Sequence, residues 1–214
     1  MRLERFAVGP LENNLYLLLA DDSHDAIVVD PSMESEPVLA QILARGLAVR
    51  RILLTHAHFD HIVMVRRFHE ATGAPVWLHP ADGAWYERGG EQATFWGFTW
   101  DGAPPVAHWI EDGEEVGIPG IEVTAIHTPG HSPGSMTFVT EEGLLVGDVL
   151  FAGSVGRTDF PMCDWDALVS SVRDVLFTYD DTTRVYPGHG PETTIGQERR
   201  TNPFVGDRAA GMEG

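Results

Sequence analysis

Four apolar runs in this chain end in histidine or aspartate, and that feature narrows the possible folds more than any other. In "RILLTHAHFDHI", Arg51 to Thr55 reads as a strand that delivers His56, His58, Asp60 and His61 within six residues. In "EVTAIHTPGHSPG" a β-rich run and a Pro-Gly turn lead to His131. "GLLVGDVL" carries a third run to Asp148, and "TRVYPGHGP" repeats the Pro-Gly-His pattern at His189. Open α/β sheets build their sites at the carboxyl ends of their strands, so an α/β fold with strand ends meeting at one edge is expected.

His56 and His58 stand two residues apart and face the same way if the chain is extended there, while Asp60 and His61 fall at the turn into the next helix. Divalent ions need more ligands than these four, and His131, Asp148 and His189 raise the set to seven. The expected division gives His56, His58 and His131 to one ion, Asp60, His61 and His189 to a second, and Asp148 to both. Imidazole and carboxylate without thiolate suit zinc, and also iron or manganese.

Strands are expected at Leu15 to Leu19, Ala26 to Asp30, Arg51 to Thr55, Pro75 to Leu78, Ile121 to Thr128, Met136 to Thr140, Leu144 to Asp148 and Arg184 to Tyr186. Helices are expected at Glu36 to Arg45, Ile62 to Thr72, Ala81 to Arg88 and Asp166 to Phe177. The alternation favours a sheet covered by helices. No Pro/Gly/Ser linker divides the 214 residues, a length that fits one domain over residues 1–214. Gly89 to Pro105 reads as a long loop or lid, and "DRAAGMEG" at the end as disordered.

Charge excludes one class of partner. The net charge is −18, lysine is absent, and the adjacent basic pairs are Arg50-Arg51, Arg66-Arg67 and Arg199-Arg200, a poor match for nucleic acid. The single cysteine, Cys163, rules out an intramolecular disulfide framework and fits a reducing, cytoplasmic setting. The apolar stretch Leu15 to Ala20 is too short to span a bilayer, so no membrane partner is expected.

Through "THAHFDH", "TPGH", "GD" and "PGH", in that order, the chain resembles the metallo-β-lactamase superfamily. "GDVLFAGSVGRTDFP" and "PGHGPETTIGQERRTNPF" look like the short, single-domain glyoxalase II-like (hydroxyacylglutathione hydrolase-like) hydrolases. The resemblance implies a four-layer αβ/βα sandwich with its metals at one edge, and it supports the ligand division. It departs at Val63 and Met64, where the family commonly places small residues after the histidine motif.

The activity so implied is hydrolysis of a small-molecule thioester, an S-acyl conjugate of glutathione or another small thiol. A metal-bridged hydroxide would attack, with Asp60 and Asp148 as the catalytic carboxylates. Three alternatives stand beside it. Persulfide dioxygenases share the histidine motif and use one iron on residues matching His56, His131 and Asp148; a lactone or ester hydrolase would use the same hydroxide; and a catalytically silent metal-binding protein would keep the ligands without turnover.

His24, His69, His79, His108 and His127 read as structural. Arg157 either pairs with Asp159 or meets a substrate carboxylate, and Cys163 has no evident activating partner. Trp85, Phe95, Trp96, Phe98 and Trp100 are either core and contact residues or an apolar wall over the metals. The oligomeric state is left open.

Overall fold

The computed structural model of the protein describes residues 1–207 and residue 209. Most of the tail expected to be disordered, Arg208 and residues 210–214, lies outside that description.

The first sheet runs β1 (Arg2–Val8), β2 (Asn13–Leu19), β3 (Asp25–Val29), β4 (Ala48–Leu53), β5 (Val76–Leu78) and β6 (His108–Trp109). Its first three strands are antiparallel, and β3 to β6 are parallel. Parallel neighbours need long crossovers, supplied here by α1 (Glu36–Ala44) between β3 and β4 and by α2 (Phe59–Ile62) and α3 (Val65–Thr72) between β4 and β5. Next come α4 (Gly83–Glu87) and α5 (Gly89–Phe95). The second sheet collects β7 (Glu114–Glu115), β8 (Thr124–His127), β9 (Met136–Thr140), β10 (Gly143–Gly147), β13 (Arg184–Pro187) and β14 (Thr193–Thr194), in the spatial order β14-β13-β10-β9-β8-β7. A separate ribbon pairs β11 (Leu150–Phe151) with β12 (Ser154–Val155). Helices α6 (Trp165–Ser170) and α7 (Ile195–Thr201) complete the described elements.

Strand β2 shows why the layers stack as they do. All of its residues are buried, and its side chains alternate between two cores. Leu15, Leu17 and Leu19 pack with Val38 and Ile42 of α1 and with Val65 and Phe68 of α3. Tyr16 and Leu18 face the other way and meet Phe138, Leu145 and Tyr186 of the second sheet. A third core packs Leu144, Val146 and Val185 of that sheet against Leu168 and Ile195 of α6 and α7. The result is helix, sheet, sheet, helix, the four-layer αβ/βα arrangement expected from the resemblance.

Several boundaries differ from expectation. Strand β4 stops at Leu53 rather than Thr55, because the Thr55 N–H donates to the Asp30 carboxylate at 2.8 Å instead of joining the ladder. The helix expected over Ile62 to Thr72 is two helices, and at the break the Met64 N–H donates to the Pro31 carbonyl. The helix expected over Asp166 to Phe177 starts as α6, capped by the Asp164 side chain, then widens into a π turn over Ser171–Val175 and tightens into a 3-10 turn over Leu176–Thr178. The expected loop from Gly89 opens with helix α5. Among the described residues no helix is long and apolar enough to cross a membrane.

Candidate metal centre

Strands β4, β8, β10 and β13 end on one edge, and the segments that follow carry all seven expected ligands, Asp60 and His61 within α2. The two Pro-Gly turns are glycine for a steric reason. Gly130 has φ +137°, and a Cβ there would collide with the Leu168 backbone of α6. A Cβ on Gly188 would fall against Asp148 Oδ1 and the His61 ring. Each glycine lets the chain approach close enough to deliver the next histidine.

The hydrogen bonds fix which nitrogen of each ring is free. His61 Nδ1 donates to Asp30 Oδ2 at 3.0 Å, His131 Nδ1 to the Arg157 carbonyl at 2.9 Å, and His189 Nδ1 to the Leu11 carbonyl at 2.8 Å. His56 Nδ1 lies 3.0 Å from Thr55 Oγ1, whose own proton goes to Asp30 Oδ2 at 2.6 Å, so the ring must be the donor of that pair. In these four rings Nδ1 is committed to its acceptor and Nε2 is the nitrogen turned toward the centre, the atom a metal ion would take, displacing a proton where the neighbouring acids hold one. The His56 Nε2 is buried with no hydrogen-bond partner in the protein, which fits a ligand atom and little else in so polar a site.

The free atoms converge on one another. His61 Nε2 lies 3.3 Å from His189 Nε2 and 3.6 Å from Asp60 Oδ2, and His189 Nε2 lies 3.2 Å from that Asp60 oxygen. Ligands about 2.0–2.1 Å from a tetrahedral ion sit about 3.3–3.4 Å from each other, which these separations match. On the other side His58 Nδ1 and His131 Nε2 are 2.8 Å apart, and together with His56 they form a second buried cluster. Asp148 stands between the two groups: its Oδ1 is 3.4 Å from His61 Nε2, and its Oδ2 is 3.4 Å from His189 Nε2 and 3.6 Å from His131 Nε2.

The electrostatics divide the same way. Burial, then the charge of neighbouring rings, pushes His56 down and takes His58 to about 3. Burial opposes the charged form of His61 and His189 as well, but adjacent carboxylates outweigh it. Asp148 and Asp60 drive His61 up, and hydrogen bonds to the same two acids take His189 to about 10. Both carboxyls are held below their usual range despite burial, chiefly by His61. One cluster thus offers three ring nitrogens to an ion, and the other mixes imidazole with carboxylate.

Above the centre lies a cavity of about 610 Å³ that reaches His58, Asp60, His131, Asp148 and His189. Trp85, Phe95, Trp96, Phe98 and Phe160 line it, so the wall reading fits four of the five aromatics singled out in the sequence. Trp100 instead packs beneath α5 against Gly89 and Gly90. Arg157 also lines the cavity, and its guanidinium makes two 2.6 Å hydrogen bonds to Asp159 while lying 4.0 Å above the Phe160 ring.

Residues 8–189 match the family described as the metallo-beta-lactamase superfamily. The chain belongs to that superfamily. Among its relatives is hydroxyacylglutathione hydrolase GloC of Haemophilus influenzae, 35% identical over 98% of this chain and 100% of that one. BLEG-1, titled a B3 metallo-beta-lactamase, is 36% identical with a TM-score of 0.87, over 95% of this chain and 99% of its own. TTHA1623, solved in a di-iron-bound form, is 42% identical with a TM-score of 0.85, over 94% and 100%. ETHE1 from Myxococcus xanthus is 27% identical with a TM-score of 0.80, over 96% and 84%. Superfamily membership and the clustered His and Asp side chains imply divalent metal ions in a metal-dependent hydrolase.

Sequence reasoning missed two supporting acids. Asp30, with φ +50°, accepts from the Thr55 N–H and hydroxyl and from His61, and so orients two rings. Its signal was present, since it ends the run Ala26 to Asp30 just as Asp148 ends its own. Asp82 accepts from the Ala57 N–H at 2.8 Å and the Gly134 N–H at 2.6 Å, and nothing in its local sequence marks it.

Proposed function

We propose that the protein hydrolyses thioesters, S-acyl conjugates of glutathione or another small thiol, with two divalent ions at this centre. The observation that carries the reading is Asp148, whose two oxygens stand within 3.6 Å of free nitrogens from both ligand groups. His56, His58 and His131 would hold one ion and Asp60, His61 and His189 the other, with Asp148 shared. GloC, similar over its whole length, supports the substrate class. The donor set suits zinc, and the di-iron form of TTHA1623 makes iron the next ion to look for.

Bound there, such ions lower the pKa of water to about 7 and polarise a carbonyl. The protein's own residues do the rest. Asp30, through His61 and Thr55, holds two rings in the tautomer that leaves Nε2 free. Asp60, fixed by the Asn13 amide at 2.9 Å and by His189, keeps a carboxylate at the floor of the cavity where it can accept a proton from the attacking water. The aromatic walls hold bulk water away from the reacting carbonyl.

The test is hydrolysis of S-lactoylglutathione by protein of measured metal content, beside Asp148→Ala. Roughly two ions per chain with turnover, and loss of both in the variant, is the expected result; full activity in a metal-depleted variant overturns it. A second reading rests on the motif resemblance to persulfide dioxygenases: a single iron on His56, His131 and Asp148, acting on a thiol persulfide. One iron per chain, no thioester turnover, and oxygen uptake with a thiol persulfide would establish it instead.

A further inference from the structure

Two walls of the cavity are aromatic and touch the metal centre directly. Trp85 sets its ring edge-on to His58 at 5.5 Å, and Phe160 does the same at 6.1 Å. From Phe160 the surface continues to Trp96 at 6.4 Å. Trp96 and Phe98 rest on the buried Phe59 ring at 6.5 and 5.4 Å, both nearly parallel to it. Phe59 directly follows His58, so the same turn that carries the ligand also supports the wall.

These aromatics are exposed to an unusual degree for their type. Trp96 is 49% accessible, Phe98 39% and Phe95 77%. A contiguous exposed apolar patch marks a binding surface, and the accessible faces of these rings line the cavity.

The polar groups of the rim point to the same class of occupant. The two arginines that line the cavity are already engaged. Arg157 is chelated by Asp159, and Arg88 donates to Glu91 at 2.8 Å. A substrate carboxylate would have to compete with those acids, and it would do so on a protein of net charge −18. Among the described residues, the cavity away from the metals therefore offers apolar area and two arginines that are already paired with acids.

Resting on the thioester reading, we propose that the acyl group is a medium-length aliphatic or aryl chain. It lies along Trp85, Trp96, Phe98 and Phe160 with its carbonyl at the metal centre, and the thiol carrier needs no carboxylate. The volume of about 610 Å³ holds such a chain together with a small carrier. Specificity then comes from apolar area, which rewards each added methylene up to the end of the wall.

The test is an acyl series on one neutral thiol, N-acetylcysteamine, from acetyl through butanoyl and octanoyl to phenylacetyl, with S-lactoylglutathione alongside. The expected result is kcat/KM rising by about twofold per methylene, somewhat below full burial because the wall is open on one side. In the Trp96→Ala/Phe98→Ala double variant the rise should flatten, and circular dichroism should report an unchanged fold because both residues are already half exposed. Turnover that is flat or falls with chain length overturns the acyl-wall inference and leaves the hydrolase reading intact. If no thioester is turned over, the hydrolase reading fails, and binding decides the inference by itself. S-octyl N-acetylcysteamine should then quench tryptophan fluorescence at lower concentration than the S-ethyl thioether, whereas equal affinities overturn the proposal.

Discussion

The Asp82 carboxylate accepts the Ser132 hydroxyl with both oxygens at 2.6 Å, and through that contact it joins the two segments that carry His56, His58 and His131. Ser132 follows His131, while Ala57, whose N–H donates to the same carboxylate, lies between His56 and His58. One buried acid thus sets the spacing of three ligands that arrive from different sheets. Asp82→Asn keeps the shape but turns an NH2 toward backbone donors, leaving at least one buried N–H unsatisfied at a cost of about 1–3 kcal/mol. The expected outcome is a lower Tm and at least about tenfold weaker retention of metal in competition with a chelator. Metal affinity equal to that of the parent protein would show that Asp82 has no part in ligand spacing.

Gly188 provides a steric test of Asp148. A methyl at this position would press on Asp148 Oδ1 and on the His61 ring, both of them buried. Asp148 would have to turn away from at least one ligand group. Gly188→Ala should therefore lower metal content and turnover together. Elemental analysis after dialysis checks the first part, and an unchanged metal content in Gly188→Ala would refute it.

The seven candidate ligands could be picked out because all of them follow one of four apolar runs, and the order of the four motifs carries the fold with it. The supports were not legible. Asp82 acts across fifty residues of sequence on Ser132, a distance no local pattern reports. Strand β1 reads "RLERFAV" and is half exposed, so its alternation is weak; it gains its place from pairing along the full length of β2. Helix α7 carries Gly196 near its start and is set instead by the Thr194 side chain, which accepts from the Gln197 N–H. Helix α5 lay hidden in a glycine-opened aromatic segment, and packing of Trp100 against Gly89 and Gly90 accounts for both glycines.

Removal of the metals should lower stability in proportion to their binding. Three carboxylates, Asp30, Asp60 and Asp148, lie close to His61, and ions that bind only the folded chain stabilise it by mass action. With free metal at 100 times Kd this is about 2.7 kcal/mol per ion, or a Tm change of roughly 5–10 °C for a chain of this size. Scanning calorimetry with and without a chelator measures it. A Tm that does not respond to chelation, in protein shown to have lost its metal, contradicts the assignment of these side chains as ligands.

A pH effect separate from the metal centre is expected from His79. Its ring stacks on that of His127 with centroids 4.1 Å apart and planes at 18°. Burial, then the charge of His127, lowers its pKa to about 4, against a smaller opposing pull from Asp112. The unfolded chain holds a proton on this residue below about 6.5, and the folded chain does not until about 4. Stability from this group is therefore complete above about pH 6.5 and declines as the pH falls toward 4. His79→Phe keeps a ring on His127 and cannot titrate, so it should lose less Tm than the parent between pH 7 and pH 5. Both proteins carry the same ligand histidines, so the difference between their two slopes isolates His79; identical slopes would mean that the stacked pair takes up its proton without cost to the fold.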